Sequence, residues 1–135
     1  MSSSFVDTSY LVRYLTGEPP EMAALAQEAI ESDETLILSP LAVVETAYVL
    51  ESFYQMPRDP IVDAVSALIN RKNIHLLDLE KSLLLRALQL CRGSKRTSFT
   101  DAVLWSQARH KGAPGIYTFD RRFPSEHLQL RGSAP

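Results

Sequence analysis

The sequence predicts an α/β protein, a three-layer sandwich of helices around a short, mostly parallel central sheet. Short apolar segments that suit strands alternate with longer segments of helical periodicity. This alternation is typical of a parallel sheet whose two faces are covered by helices. The chain has 135 residues, 45% of them hydrophobic, so we expect one domain with its own core.

The first predicted elements are a strand and two helices. An apolar strand at Ser4–Val6 ends at Asp7. The next segment, TSYLVRYLTG, has apolar residues at three-and-four spacing and a closing glycine, which predicts a helix. Pro19 and Pro20 start a second helix, because proline is favoured in a first helical turn. A buried strand follows at Leu36–Leu38.

Ser39 and Pro40 mark the start of the third helix, with serine as the cap and proline at the first position. This helix, Leu41–Tyr54, is apolar over most of its surface, so we expect it to be largely buried. A break at Met56–Pro60 precedes an amphipathic helix at Ile61–Asn70.

The rest of the chain continues the alternation of strands and helices. Its predicted elements are a strand at Ile74–Leu77, a helix at Glu80–Arg92, a polar loop at Gly93–Ser98, a helix at Phe99–Lys111 and a strand at Ile116–Phe119. The last strand ends directly before Asp120. The predicted domain covers residues 1–130, and residues 131–135 are expected to form a frayed tail.

Composition narrows the class of protein. Cys91 is the one cysteine and lies in an apolar run, so we expect a buried, unreactive thiol and a reducing cytoplasm. A net charge of -2 argues against broad, non-specific binding of nucleic acid. No secretory signal and no apolar run of about 20 residues is seen, so we expect no membrane association.

Four acidic residues interrupt or end apolar segments, and they carry the functional hypothesis. Asp7 and Asp120 each follow a strand, and residues that follow parallel strands meet at one edge of the sheet. The helix that starts near Asp101 runs back from that edge, so its first turn returns there. Glu45 lies about one and a half turns into its helix and leans toward the same edge, because helical side chains point toward the N-terminus.

Carboxylates so close together stay ionised only around a cation, because like charges raise one another's pKa. Ligation by oxygen alone favours Mg²⁺, or Mn²⁺ as a substitute, over zinc. Such a centre suits hydrolysis of phosphate esters, because the metal activates water and neutralises charge on the phosphoryl oxygens.

Each acid also has a purely structural interpretation. Asp7 can cap the helix that starts at Thr8. Asp101 completes a capping-box pattern with Ser98, and Asp120 suits a turn or a surface ion pair. Glu45 is the hardest to explain in this way, because the residues around it are apolar and an unpaired buried carboxylate is costly.

Ordered motifs along the chain resemble PIN-domain ribonucleases, and among them the VapC-like toxins of bacterial type II toxin–antitoxin pairs. The motifs are FVDTSYLVRYL, the glutamate of LAVVETAYVL, SFTDAVLWSQARHKG and IYTFDRRF. They span Phe5 to Phe123, nearly the whole chain.

The resemblance implies a Mg²⁺-dependent endoribonuclease that forms a homodimer and is inhibited by a cognate antitoxin. It implies that the four acids are catalytic, with Thr8 and Thr118 as supporting hydroxyl groups beside the site. Many relatives carry a further aspartate three residues before the position of Asp101, where this chain has Ser98. This difference puts a second metal position in doubt.

Basic residues near the predicted edge are candidates for contact with the RNA backbone. They are Arg121 and Arg122 after the last strand, and Lys95 and Arg96 in the loop before the Asp101 helix. Arg13, one turn or more from Asp7, belongs to the same group of cations. A solvated surface charge is the simpler interpretation of any one of them.

Two other functions fit an acidic pocket in a small α/β domain. A signalling receiver has a phosphate-accepting aspartate beside Mg²⁺, but it normally has a lysine at the end of its last strand, where this chain has Asp120. A non-catalytic binding module would keep the pocket only to dock a partner. Metal-dependent RNA cleavage that depends on Asp7 would exclude the binding module.

Overall fold

The structure, a computed structural model, describes residues 3–93 and 97–132. The chain forms two compact units, one ending at Asp78 and the other beginning at Leu79. The first unit contains β1 (Ser4–Phe5), α1 (Thr8–Thr16), α2 (Pro20–Ile30), β2 (Leu36–Leu38), α3 (Pro40–Ser52), α4 (Arg58–Ile69) and β3 (Ile74–Leu76). The second contains α5 (Lys81–Leu90), α6 (Phe99–His110), β4 (Gly115–Tyr117) and β5 (Gln129–Arg131). The predicted α/β class with short parallel strands is confirmed.

The sheet of the first unit has β2 in its centre, with β1 and β3 parallel to it on either side. Leu36 is in register with Ser4 on one side and with Ile74 on the other. Since all three strands run in the same direction, the residues after β1 and β2 emerge at the same edge. Asp7 and Ser39, which cap α1 and α3, therefore begin their helices at that edge.

Helix signals in the sequence correspond closely to the structure of this unit. Gly17 ends α1 in the left-handed conformation, at φ +76°, and its N–H donates to the carbonyl of Arg13. Ser39 caps α3 by accepting a hydrogen bond from the N–H of Leu41 at 3.2 Å. The core contains fully buried aliphatic side chains from α1 to α4 and from the sheet, among them Leu11, Ile30, Leu38, Leu50, Ile61 and Ile74.

The expectation that the third helix is largely buried is wrong. Val43, Ala47 and Leu50 face the core, but Leu41 and Tyr48 are 75% and 65% exposed. These two residues lie seven positions apart and so share one face of α3, opposite the core. The apolar composition of this helix therefore reflects an exposed apolar face as well as a buried one.

The break predicted at Met56–Pro60 is shorter than expected, because α4 already begins at Arg58. Pro60 lies in the first turn of α4, where a missing N–H removes no helical hydrogen bond. Before it, Gln55 adopts the left-handed conformation at φ +54°, and the N–H of Met56 donates to the carbonyl of Leu50 at 3.0 Å.

The second unit is built around α6. Its Trp105 is 1% exposed, and the indole N–H donates to the carbonyl of Glu126 at 2.8 Å. Phe123 is also buried, so both aromatic residues belong to the core of this unit. The predicted buried thiol of Cys91 is confirmed.

Strand β4 pairs in parallel with β5, a strand that the sequence analysis did not predict. Ile116 is in register with Leu130, and the N–H of Thr118 donates to the carbonyl of Arg131 at 2.9 Å. The tail expected at residues 131–135 therefore begins inside a strand, while residues 133–135 lie outside the described residues. Across the described chain, no helix combines the length and the apolar character needed to cross a bilayer.

Candidate functional site

Asp7 lies directly at the start of α1, two residues after the end of β1. Its carboxylate accepts a hydrogen bond from the hydroxyl of Ser9 at 2.7 Å and one from the N–H of Ser9 at 3.3 Å. This is N-cap geometry, so Asp7 caps α1 as its structural interpretation predicted. The side chain is nevertheless exposed, and its oxygens remain open to a further ligand.

The same contacts change the acidity of Asp7. The hydroxyl of Ser9, and then the N–H of Ser9, hold the pKa of Asp7 below its ordinary value of 3.8. A carboxylate with a lowered pKa is ionised throughout the physiological range. Asp7 is therefore a ready oxygen ligand for a cation.

Glu45, on α3, shares its surroundings with Asp7, because α1 packs against α3. Two adjoining open clefts, of about 410 and 320 Å³, are both lined by Asp7, Thr8 and Glu45. The larger cleft continues past Arg13 to Tyr54. Two of the four predicted acids thus face the same space, as expected.

The sequence analysis expected the carboxylate of Glu45 to be buried among apolar residues, and this expectation is wrong. Glu45 is exposed rather than buried, since it projects from the solvent side of α3. Its carboxylate forms no hydrogen bond or ion pair with any residue that the structure describes. It is therefore free to bind a ligand, and no cost of burial has to be offset.

Thr8 is the first residue of α1 and is almost fully buried, at 9% exposure. Its N–H donates to the carboxylate of Asp7 and helps to lower the pKa of that group. Thr8, one of the two expected supporting residues, thus acts on Asp7 through its backbone N–H.

Asp101, in the second unit, lies in the first turn of α6 and is half-buried. Its N–H donates to the hydroxyl of Ser98 at 3.0 Å, so Ser98 is the N-cap. In the described parts of the chain, the Asp101 carboxylate makes no hydrogen bond or ion pair, so the return half of a capping box is missing. Capping by Ser98 explains the serine, and within residues 3–93 and 97–132 the carboxylate of Asp101 has no structural partner.

Asp120 follows β4 and forms a tight turn. Its N–H donates to the hydroxyl of Thr118 at 3.0 Å, and its carboxylate accepts from the N–H of Arg122 at 2.8 Å. The guanidinium of Arg122 lies 3.6 Å from the same carboxylate. Both structural interpretations of Asp120, the turn and the ion pair, are therefore seen. The support expected from Thr118 is directed at the backbone of Asp120.

Of the basic residues predicted next to Asp101 and Asp120, the structure describes Arg121 and Arg122. Arg122 is exposed and paired with Asp120, and Arg121 is exposed beside it. Lys95 and Arg96 lie outside the described residues.

The donor chemistry fits a hard divalent cation, although no complete set of ligands is gathered. Residues 3–93 and 97–132 contain no group of three or more histidine, cysteine, aspartate or glutamate side chains placed to hold a metal. The pair formed by Asp7 and Glu45 supplies only oxygen atoms, which suit Mg²⁺ or Mn²⁺. The meeting of all four acids at one ion stays a prediction.

Comparison with known proteins identifies the family. The model of the PIN domain family matches residues 4–125, a range that spans both units and includes all four acids. This chain belongs to the PIN-domain family. This PIN domain is also similar to a VapC ribonuclease of Aquifex aeolicus (strain VF5), with 25% identity over 121 residues that cover 87% of each chain.

These comparisons confirm the predicted resemblance to VapC-like PIN-domain ribonucleases and the predicted PIN-like α/β fold. The sequence analysis missed two residues of the larger cleft, Phe53 and Tyr54. Both residues were placed at the end of a helix that was expected to be buried. Neither aromatic residue was therefore considered part of a site. No local signal in the sequence marks these two residues, because the turn that follows them at Gln55 has no glycine.

Proposed function

We propose that this PIN domain is a Mg²⁺-dependent endoribonuclease that hydrolyses phosphodiester bonds of RNA and is the toxin of a toxin–antitoxin pair. One observation supports the proposal most strongly: in a chain of this family, Asp7 and Glu45 line the same open cleft with carboxylates available to a cation. The similarity to a protein named VapC ribonuclease supports RNA as the substrate.

Asp7, Glu45, Asp101 and Asp120 are the proposed metal-holding and catalytic groups. Bound Mg²⁺ supplies an activated water and neutralises charge on the phosphoryl oxygens, and Mn²⁺ is a possible substitute. Ser9 fixes the orientation of the Asp7 carboxylate and keeps it ionised. Asp101 offers a half-buried carboxylate without another partner among the described residues.

Glu45 has a second proposed task because its carboxylate has no fixed partner among the described residues. An unrestrained carboxylate beside the reacting phosphate can accept a proton from the attacking water. Arg121 and Arg122, together with Lys95 and Arg96, are proposed to contact phosphates of the RNA backbone. The ion pair with Asp120 holds Arg122 beside that acid, so Arg122 would exchange a carboxylate contact for a phosphate contact.

The proposed partners follow from the same resemblance. We propose a cognate antitoxin protein that blocks the active site, a homodimer as the active form and the cytoplasm as the compartment. The exposed apolar residues Leu41 and Tyr48 on α3 are compatible with a protein interface.

Cleavage of RNA by the purified protein tests the proposal. We expect cleavage of single-stranded RNA in Mg²⁺ or Mn²⁺, loss of cleavage in EDTA, and loss in Asp7→Asn and Glu45→Gln. Asp33→Asn and Glu21→Gln are matched controls, because both residues are exposed and lie outside the two clefts. Asparagine caps a helix about as well as aspartate, so Asp7→Asn should remain folded.

The outcomes separate the competing functions. Cleavage that persists in Asp7→Asn would contradict the proposed centre. Metal binding without cleavage would favour the binding module, and phosphate uptake from acetyl phosphate would favour the receiver.

A further inference from the structure

The larger cleft contains a cation that the proposed chemistry does not use. Arg13 lies on α1, six residues after Asp7, and lines the same cleft as Asp7 and Glu45. Six residues of helix correspond to an axial distance of about 9 Å. A nucleotide spans a comparable length, so a strand bound at the acids can reach Arg13.

The guanidinium of Arg13 is poorly satisfied by the protein. Its Nη1 atom donates one long hydrogen bond, 3.4 Å, to the hydroxyl of Tyr54. Its Nε atom is buried and has no hydrogen-bond partner in the part of the chain that the structure describes. Within the described residues it forms no ion pair, not even with the two carboxylates of the same cleft. The two Nη atoms of a guanidinium carry four N–H donors, and Tyr54 is the one acceptor for them among the described residues, so donors of Arg13 remain for an anion.

An aromatic side chain lies at the same cleft. Phe53 lines it and is 77% exposed, so its ring is accessible to a ligand in the cleft. Its ring meets that of Tyr54 edge to face, with centroids 5.0 Å apart and an angle of 70° between the planes. Tyr54 therefore links the two features, since it accepts from Arg13 and contacts Phe53.

We infer that Arg13 and Phe53 form a binding subsite for single-stranded RNA, in which Arg13 contacts a backbone phosphate and Phe53 stacks on a base. A guanidinium with free donors suits a phosphate, and an exposed ring suits an unstacked base. A base within a duplex is already stacked on its neighbours, so the subsite selects single strands. This inference rests on the proposed function and names the substrate form and two contacts at the same cleft.

Binding measured without cleavage tests the inference. A fluorescent single-stranded RNA oligonucleotide is titrated with the Asp7→Asn variant in EDTA, at several salt concentrations. Adding Arg13→Gln should weaken binding about tenfold and reduce the slope of log K against log salt by about 0.7, the value for one phosphate contact on a single strand. Lys72→Gln removes the same charge from an exposed residue outside the cleft and should leave the slope unchanged.

The stacking contact has its own matched pair of variants. Phe53→Ala should weaken binding of the single strand by about fivefold or more, because one stacked base is lost. Tyr10→Ala removes an exposed aromatic residue of α1 that lies outside both clefts, and it should have no effect. Phe53→Trp should bind the single strand more tightly than Phe53→Ala, because tryptophan also stacks on a base. A perfect duplex of the same sequence should bind weakly and equally to all variants.

Several results would overturn the inference. One is an equal salt slope for the Arg13→Gln and Lys72→Gln variants, and another is an equal loss of binding to single strand and duplex. If Arg13→Gln lowers the melting temperature strongly, Arg13→Lys replaces it, and we expect the slope to be kept but the affinity to fall. Normal RNA binding combined with lost affinity for a partner protein would assign the subsite to that partner instead.

The two proposals fail in different ways. Absence of cleavage by the wild-type protein would contradict the nuclease, while the binding titration still reports on the subsite. Cleavage with an unchanged KM in Arg13→Gln and in Phe53→Ala would contradict the subsite alone.

Discussion

Replacing Ser98 tests whether this residue stabilises the helix that carries Asp101. In the structure, the hydroxyl of Ser98 accepts the N–H of Asp101 at 3.0 Å. Ser98→Ala removes this acceptor and leaves an unpaired donor in the first turn of α6, which costs about 1 kcal/mol of unfolding free energy. For a chain of 135 residues this corresponds to a fall in Tm of roughly 3–5 °C.

Ser98→Asp separates the capping role from metal binding. Aspartate is an equally good cap, and the favourable effect of a negative charge at the helix start is offset by repulsion from Asp101, so we expect stability within about 0.5 kcal/mol of the wild type in EDTA. In Mg²⁺ the added carboxylate should tighten the proposed centre. Tenfold tighter binding would add about 1.4 kcal/mol of stabilisation at saturating metal.

Urea unfolding followed by fluorescence of Trp105 measures both effects. This residue is the one tryptophan of the chain, and it is buried in the same helix as Asp101. Ser82→Ala, an exposed serine inside α5, is the control and should be neutral or slightly stabilising, because alanine favours helices. If Ser98→Ala is as stable as Ser82→Ala, the capping argument is refuted. If Ser98→Asp gains nothing from Mg²⁺, Asp101 is not beside a metal.

Three further predictions concern stability and acidity. Gln55→Gly should stabilise the protein by about 0.5–1 kcal/mol in urea unfolding, because glycine adopts φ +54° without strain. Trp105→Phe should cost about 1–3 kcal/mol in urea unfolding followed by far-UV circular dichroism, because the carbonyl of Glu126 loses its donor; no change would show that this bond is not needed. Ser9→Ala should raise the pKa of Asp7 toward 3.8 in an NMR titration. Since Ser9 lowers the folded-state pKa, its stabilising effect is present above pH 3.8 and is lost as the pH falls through the lowered value, so wild type and variant should converge in acid.

Local signals predicted most of the helices and strands. The capping pair Ser39 and Pro40 and the closing Gly17 mark helix ends through contacts within a few residues, so they can be read from sequence alone. The buried strand Leu36–Leu38 was predicted with the bounds that it has. Such features depend little on the rest of the fold.

Features that depend on distant partners were harder to predict. Strand β5 has three residues, of which Leu130 is the one apolar member, and its pairing with β4 is not visible in its own sequence. The apolar residues of α3 gave no indication that Leu41 and Tyr48 would be exposed, because composition does not distinguish a core from an interface.

The candidate site was predicted in part. Asp7 and Glu45 were expected to face the same space because of sheet topology and the direction of helical side chains, and they line common clefts. The argument from burial of Glu45 failed, since the apolar neighbours in its sequence lie on other faces of α3. The aromatic lining by Phe53 and Tyr54 depends on the turn at Gln55, which has no glycine or other residue that signals a left-handed conformation.

The central claim of the proposed function is that Asp7 and Glu45 hold a divalent cation at the clefts that both residues line. An anomalous difference map from crystals soaked in Mn²⁺ tests it most directly. We predict a peak beside the carboxylate oxygen atoms of Asp7 and Glu45, bound directly or through water. A peak remote from both carboxylates, or no peak at saturating Mn²⁺, would contradict the proposed metal centre.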